Sequence, residues 1–104
     1  MLPQPTEIDE LAIFTQSIGA VNQACNAYFL NQSDNNFAAV IKSSEEFIET
    51  FSISKNEHIK TVLEAVKEAV ILKEKSQGEA VEKIREAVDI IEAKNLVLTY
   101  RGEE

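Results

Sequence analysis

Few side chains in this sequence are of types that do chemistry. There is one histidine, His58, and one cysteine, Cys25; carboxylates recur at helical spacing at Glu64 and Glu68, and again at Glu82, Glu86 and Asp89. A nucleophilic thiol needs a base and positive charge beside it. Cys25 lies between Ala24 and Asn26 at a core-type position, which reads as a buried structural thiol. A di-iron bundle needs Glu-x-x-His pairs on facing helices, and the residue three before His58 is Lys55. Zinc sites built from Cys and His need more of both. The grouped carboxylates are interleaved with Lys60, Lys67, Lys83 and Arg85, the mixture of a solvated ion-pair surface and not of an enclosed acid–base pair. The glycines, Gly19, Gly78 and Gly102, are too scattered to cradle a phosphate.

The run from His58 to Leu63, H-I-K-T-V-L, is loosely similar to the H-E-L-R-T-P-L phosphoacceptor box of sensor kinases. It departs from that box in two ways: the basic residue comes one position early, and the proline is missing. His58 is therefore expected at the surface, in the first turns of a helix. The sequence predicts no catalytic, cofactor-binding or metal-binding residues, and a protein that is not an enzyme and uses no cofactor.

The elements that would hold such residues are helices. Two prolines and three glycines leave little punctuation, and the Ala-, Glu-, Lys- and Val-rich wording favours helix over the many turns of a β-sandwich. The organising stretch is Leu11 to Leu30, uncharged throughout in a chain that is 27% charged. Its residues Leu11, Phe14, Ile18, Val21, Cys25 and Tyr28 follow steps of three and four, the spacing of a seam facing other helices. Gly19 and Ala20 would let a neighbouring backbone approach or mark a kink. Four amides, Gln16, Asn22, Gln23 and Asn26, argue against a membrane span.

In chain order, MLPQP is predicted extended, with Thr6 as N-cap of a first helix over about 6–31. The turn NQSDNN follows, with Ser33 or Asp34 capping a second helix, 34–51, whose inward positions are Phe37, Val40, Ile41, Ser44, Phe47, Ile48 and Phe51. Ser54-x-x-Glu57 and Ser76-x-x-Glu79 have capping-box form and start a third helix, 55–75, and a fourth, 77–95. The third buries Ile59, Val62, Leu63, Val66 and Val70; the fourth buries Val81, Ile84, Val88 and Ile91. Asn95 is read as a stop, leaving Leu96 to Tyr100, β-branched and aromatic, in a non-helical tail, 96–104, that packs back or meets a partner. The expected fold is all-α: a single domain, 1–104, forming an up-down-up-down antiparallel four-helix bundle.

Charge bounds the partners. At net −8 the ten basic residues are diluted among eighteen acidic ones, so nucleic acid and anionic membranes are not expected partners. A lone cysteine excludes an intrachain disulfide framework, and no basic segment precedes an apolar run, so a cytoplasmic protein is expected. The charges are also unevenly placed. Between Leu11 and Ile41 there is one, Asp34, and every basic residue lies from Lys42 onward. A helix wet on one side carries ions there, so the first helix and the start of the second are expected to lack a fully wet face. Either the bundle covers them nearly all round or, as the more economical explanation, a second molecule does.

The sequence therefore predicts a non-catalytic protein–protein interaction module, a homo-oligomeric adaptor or regulator, with a dimer expected and another protein as the other possible partner. The expected contact residues are Gln16, Gly19, Ala20, Gln23 and Ala27, with the aromatics Tyr28, Phe29 and Tyr100 as anchors. One alternative is a small acidic inhibitor (an immunity protein, antitoxin or DNA mimic) using carboxylates of helices two to four on a basic partner. Another is an enzyme or ligand binder, which would need an enclosed pocket.

Overall fold

Helix-forming sequence and short polar turns become five helices in the computed structural model, which describes residues 7–102, with side chains over 10–100. They are α1 (Glu7–Leu30), α2 (Asp34–Phe51), α3 (Glu57–Ile71), α4 (Gln77–Ala87) and α5 (Ile91–Gly102), with a 3₁₀ turn at Leu72–Glu74. No strand occurs among the described residues, so the chain is all-α. The expectations for Thr6, for MLPQP and for the last two residues lie outside the described residues.

The α1–α2 hairpin forms as the turn residues dictate. Ser33 caps α2, its Oγ accepting from Asn36 N at 3.1 Å. The Asn36 amide donates back to the carbonyls of Asn31 at 2.8 Å and Ala27 at 3.3 Å, tying the start of α2 to the end of α1. The two helices run antiparallel: Tyr28 meets Phe37 near the turn, and Phe14 meets Phe47 and Phe51 at the far end. Phe14, Phe47 and Phe51 have ring centroids 5.0–5.8 Å apart, edge-on or tilted, the geometry aromatic quadrupoles favour.

The predicted seam of α1 is buried at every position, from Leu11 through Phe14, Ile18, Val21 and Cys25 to Tyr28. It shares one core with Val40, Phe47 and Phe51 of α2, the α3 stripe Ile59, Val62, Leu63, Val66 and Val70, and Val81 and Ile84 of α4. Phe37, Ile41 and Ile48 pack against this core partly buried. Buried Ser44 satisfies its hydroxyl by donating to the Val40 carbonyl one turn back, at 2.8 Å.

Three expectations need correction. The first concerns the cap of α3, which is Asn56 and not Ser54. Asn56 Oδ1 accepts from His58 N and Ile59 N at 2.9 and 3.1 Å. Ser54 is engaged elsewhere, donating to the Glu10 carboxylate at 2.8 Å and accepting from Asn56 N at 3.2 Å. Ser76 does cap α4, accepting from Glu79 N at 3.3 Å.

The second concerns the fourth helix and the tail. The helix expected over 77–95 stops at Ala87, and the chain restarts as α5, so 96–102 is helical and the bundle has five helices among the described residues. The break leaves Ile91 62% exposed and turns Ala93 and Leu96 into the core, with Val97 and Tyr100 partly buried beside them. Positions 93, 96, 97 and 100 are a helical stripe. Fully burying one such side chain gains roughly 1.5–3 kcal/mol. Low propensity at Val, Thr or Tyr costs at most about 0.7 kcal/mol per residue in a helix. Burial against α1 and α3 therefore overrides the β-type wording of Leu96 to Tyr100, and Asn95 becomes an exposed mid-helix residue.

The third is Gly19. A Cβ placed there would meet nothing within 4 Å, so no backbone crosses closely at that point.

Candidate interaction surface

α1 carries two stripes on opposite sides. The inner one is the buried seam from Leu11 to Tyr28. The other, Ile13, Gln16, Ala20, Gln23, Ala27 and Leu30, repeats the same three-and-four spacing half a turn away, and all six residues are exposed. Ile13 is 49% and Leu30 89% exposed, high values for large apolar side chains. Between the stripes lie Ala12, Thr15, Ser17, Gly19, Asn22 and Ala24, half-buried and uncharged. Helical periodicity alone places these residues, so the surface is as rigid as the helix bearing it.

α1 stands as a ridge between two grooves. On one side Ser17 and Ala20 face Ser43, Glu46, Glu49 and Thr50 of α2. On the other, Thr15, Gly19 and Asn22 face Ala93, Val97 and Leu98 of α5 across an open groove of about 390 Å³. The Thr15 hydroxyl, shut off from solvent in that wall, has no hydrogen-bond partner among the described residues. Beside the amino-terminal half of the ridge the outer surface of α2 is acidic, with Glu45, Glu46 and Glu49 exposed. Beside the carboxyl-terminal half it offers Asn35, Ala38 and Ala39, with exposed Asp34 at the start of the helix and exposed Lys42 between this stretch and the acidic one.

The sequence-predicted contact residues divide accordingly. Gln16, Ala20, Gln23 and Ala27 stand together on the exposed stripe, and Gly19 is half-buried at its flank. Tyr28 is a correction. It is 4% exposed, with its ring against Phe29 and Phe37, so it belongs to the core and offers no anchor to a partner. Phe29 is partly exposed at the α4 side, where the Arg85 guanidinium lies 5.6 Å from its ring centroid, a cation–π distance. Tyr100 sits half-buried on α5, away from this stripe. The sequence-predicted contact set leaves out Ile13 and Leu30. The signal was present, because both continue the spacing of Gln16, Ala20, Gln23 and Ala27 outward.

The residues first weighed for chemistry are not brought together. His58 is exposed on the first turn of α3. Cys25 is fully buried, its Sγ 3.9 Å from the Val81 carbonyl, and burial pushes its thiol up to about 11, opposed in part by Arg85. It is protonated at neutral pH and so a poor nucleophile there. The carboxylates pair locally on the surface, Glu57 with Lys60 at 3.3 Å, Glu64 with Lys67 at 3.4 Å and Glu86 with Lys83 at 3.4 Å. Among the described residues no cluster of three or more His, Cys, Asp or Glu could hold a metal ion, and no helix is long and apolar enough to cross a membrane. In comparisons with protein-family models, curated proteins and solved structures, nothing matches this chain.

Proposed function

We propose that the chain is a non-catalytic protein–protein interaction module that self-associates through the exposed stripe of α1 into a homo-oligomer, most simply a dimer, and works as an adaptor or regulator. The observation that carries this reading is the absence of any charge on the solvent side of α1 from Leu11 to Leu30. The water-facing surfaces of α3 and α4 in the same molecule are dense with Lys and Glu. A rigid surface holding Ile13, Ala20, Ala27 and Leu30, with two glutamines, gains by leaving water. Two chains of net −8 repel wherever their charged surfaces meet. This ridge is where two copies approach with the least repulsion.

The test is light scattering on a sizing column at tens of micromolar. The wild type is expected to run as an oligomer and Ala20→Glu as a monomer with unchanged helical circular dichroism. A monomeric wild type overturns the reading. The acidic-inhibitor alternative differs in its salt response: it requires binding to a basic partner that weakens steeply with ionic strength, whereas apolar self-association through α1 is held or strengthened by salt.

A further inference from the structure

The exposed stripe of α1 is palindromic, which fixes more than the existence of a contact. Its steps run three, four, three, four, three from Ile13 to Leu30, so reversing the helix leaves the spacing unchanged. Residue sizes are complementary under that reversal: large meets small at the inner positions and large meets large at the ends. Laid antiparallel on its own copy about a point between Ala20 and Gln23, the stripe puts Ile13 opposite Leu30, Gln16 opposite Ala27 and Ala20 opposite Gln23. Each inner layer joins one methyl to one long amide, and each outer layer joins two large aliphatic side chains. A parallel pairing instead stacks Ala on Ala and Gln on Gln in alternate layers. Helix separation depends on the side chains at the contact, roughly 8–10 Å, so alternating small and large layers suit no single separation.

We infer that two copies of this chain join α1 to α1 antiparallel about a two-fold axis near Ala20 and Gln23; the inference rests on the self-association proposed above. Two further features agree. The helix macrodipoles oppose each other end to end only in the antiparallel pair. The two-fold axis also sets each α2 beside the partner's α2 in reverse direction. Glu46 and Glu49 then lie across from the uncharged stretch Asn35, Ala38 and Ala39, and not from a second acidic stretch. The interface is isologous and closed, so the assembly stops at two.

Cysteine cross-linking at the ends of the stripe tests the orientation. Ile13→Cys and Leu30→Cys both replace exposed side chains, and wild type treated alike controls for buried Cys25. In the antiparallel pair, equivalent positions at either end are about 26 Å apart at 1.5 Å per residue. That is far beyond the roughly 7 Å Cα separation a disulfide tolerates. Under mild oxidation each single variant is expected to stay uncross-linked. An equimolar refolded mixture, with one variant isotope-labelled, is expected to give the mixed disulfide at more than about ten-fold the yield of either homodisulfide. Homodisulfides in the single-variant samples overturn the orientation while leaving the dimer. Absence of every cross-link in a sample that scatters light as a dimer also overturns it, because α1 is then not the seam. A monomeric wild type removes the self-association itself, a failure that light scattering separates from both.

Discussion

α1 and α3 solve the same inner problem and differ outside. Each lays a three-and-four stripe into one core, Leu11 to Tyr28 on α1 and Ile59 to Val70 on α3. On its outer side α3 carries Glu57, Lys60, Glu64, Lys67 and Glu68, with Glu57–Lys60 and Glu64–Lys67 paired at 3.3 and 3.4 Å. Exposed pairs of this kind add only about 0.2–0.5 kcal/mol each, so their main physical effect is to keep that side hydrated and unattractive to neighbours. α1 has no ion over the equivalent length. Burial of one stripe therefore accounts for the fold of both helices. It does not account for the outer surface of α1, which calls for a second explanation.

The largest test of that contrast is on the inner stripe. Phe14→Ala removes a fully buried ring that meets both Phe47 and Phe51, and is expected to lower unfolding free energy by about 3–5 kcal/mol in denaturant titrations. A loss under about 1 kcal/mol would mean that the inner stripe does not carry the fold.

Next in size is a pH effect at Cys25, on the same stripe. Its thiol is raised by burial from an ordinary 9.0 to about 11, with Arg85 opposing. The folded state thus keeps a proton over a window in which the unfolded chain has lost it. Stability fully present below about pH 9 is lost as pH rises towards 11, by about 2–3 kcal/mol. The stability difference between wild type and Cys25→Ala is expected to narrow across that window; a difference independent of pH would refute the burial argument.

The smallest effects lie on the outer surfaces, where the two helices should part company. Lys67→Gln on α3 and Gln23→Lys on α1 each change one exposed side chain, and both are expected within about 0.5 kcal/mol of wild type in monomer stability. Only Gln23→Lys is expected to shift the oligomer towards monomer in light scattering. An equal response from both variants would erase the distinction between the two surfaces.

The all-α class and the inner stripes were legible because helical periodicity is local, and because the positions from Leu11 to Tyr28 have no other common side. The bounds of α2 were legible for the same reason, its cap Ser33 lying in a turn whose residues bond their own backbone. The start of α3 was misplaced because Ser54 is drawn to Glu10, a partner 44 positions away that no local pattern announces. Tyr28, a predicted contact residue, lies on the buried seam where its own spacing places it. The spacing was the better guide.

The sequence by itself determined where helices can form and which side of each is apolar, since both follow from residue type at a period of 3.6. Tertiary packing decided what could not be periodic. The turn at Val88 to Ile90 splits one expected helix into α4 and α5, and Leu96, Val97 and Tyr100 become helical against α1 and α3. Burial energy there exceeds the intrinsic preference of the segment, and it exists only once the rest of the chain supplies a surface to be buried against.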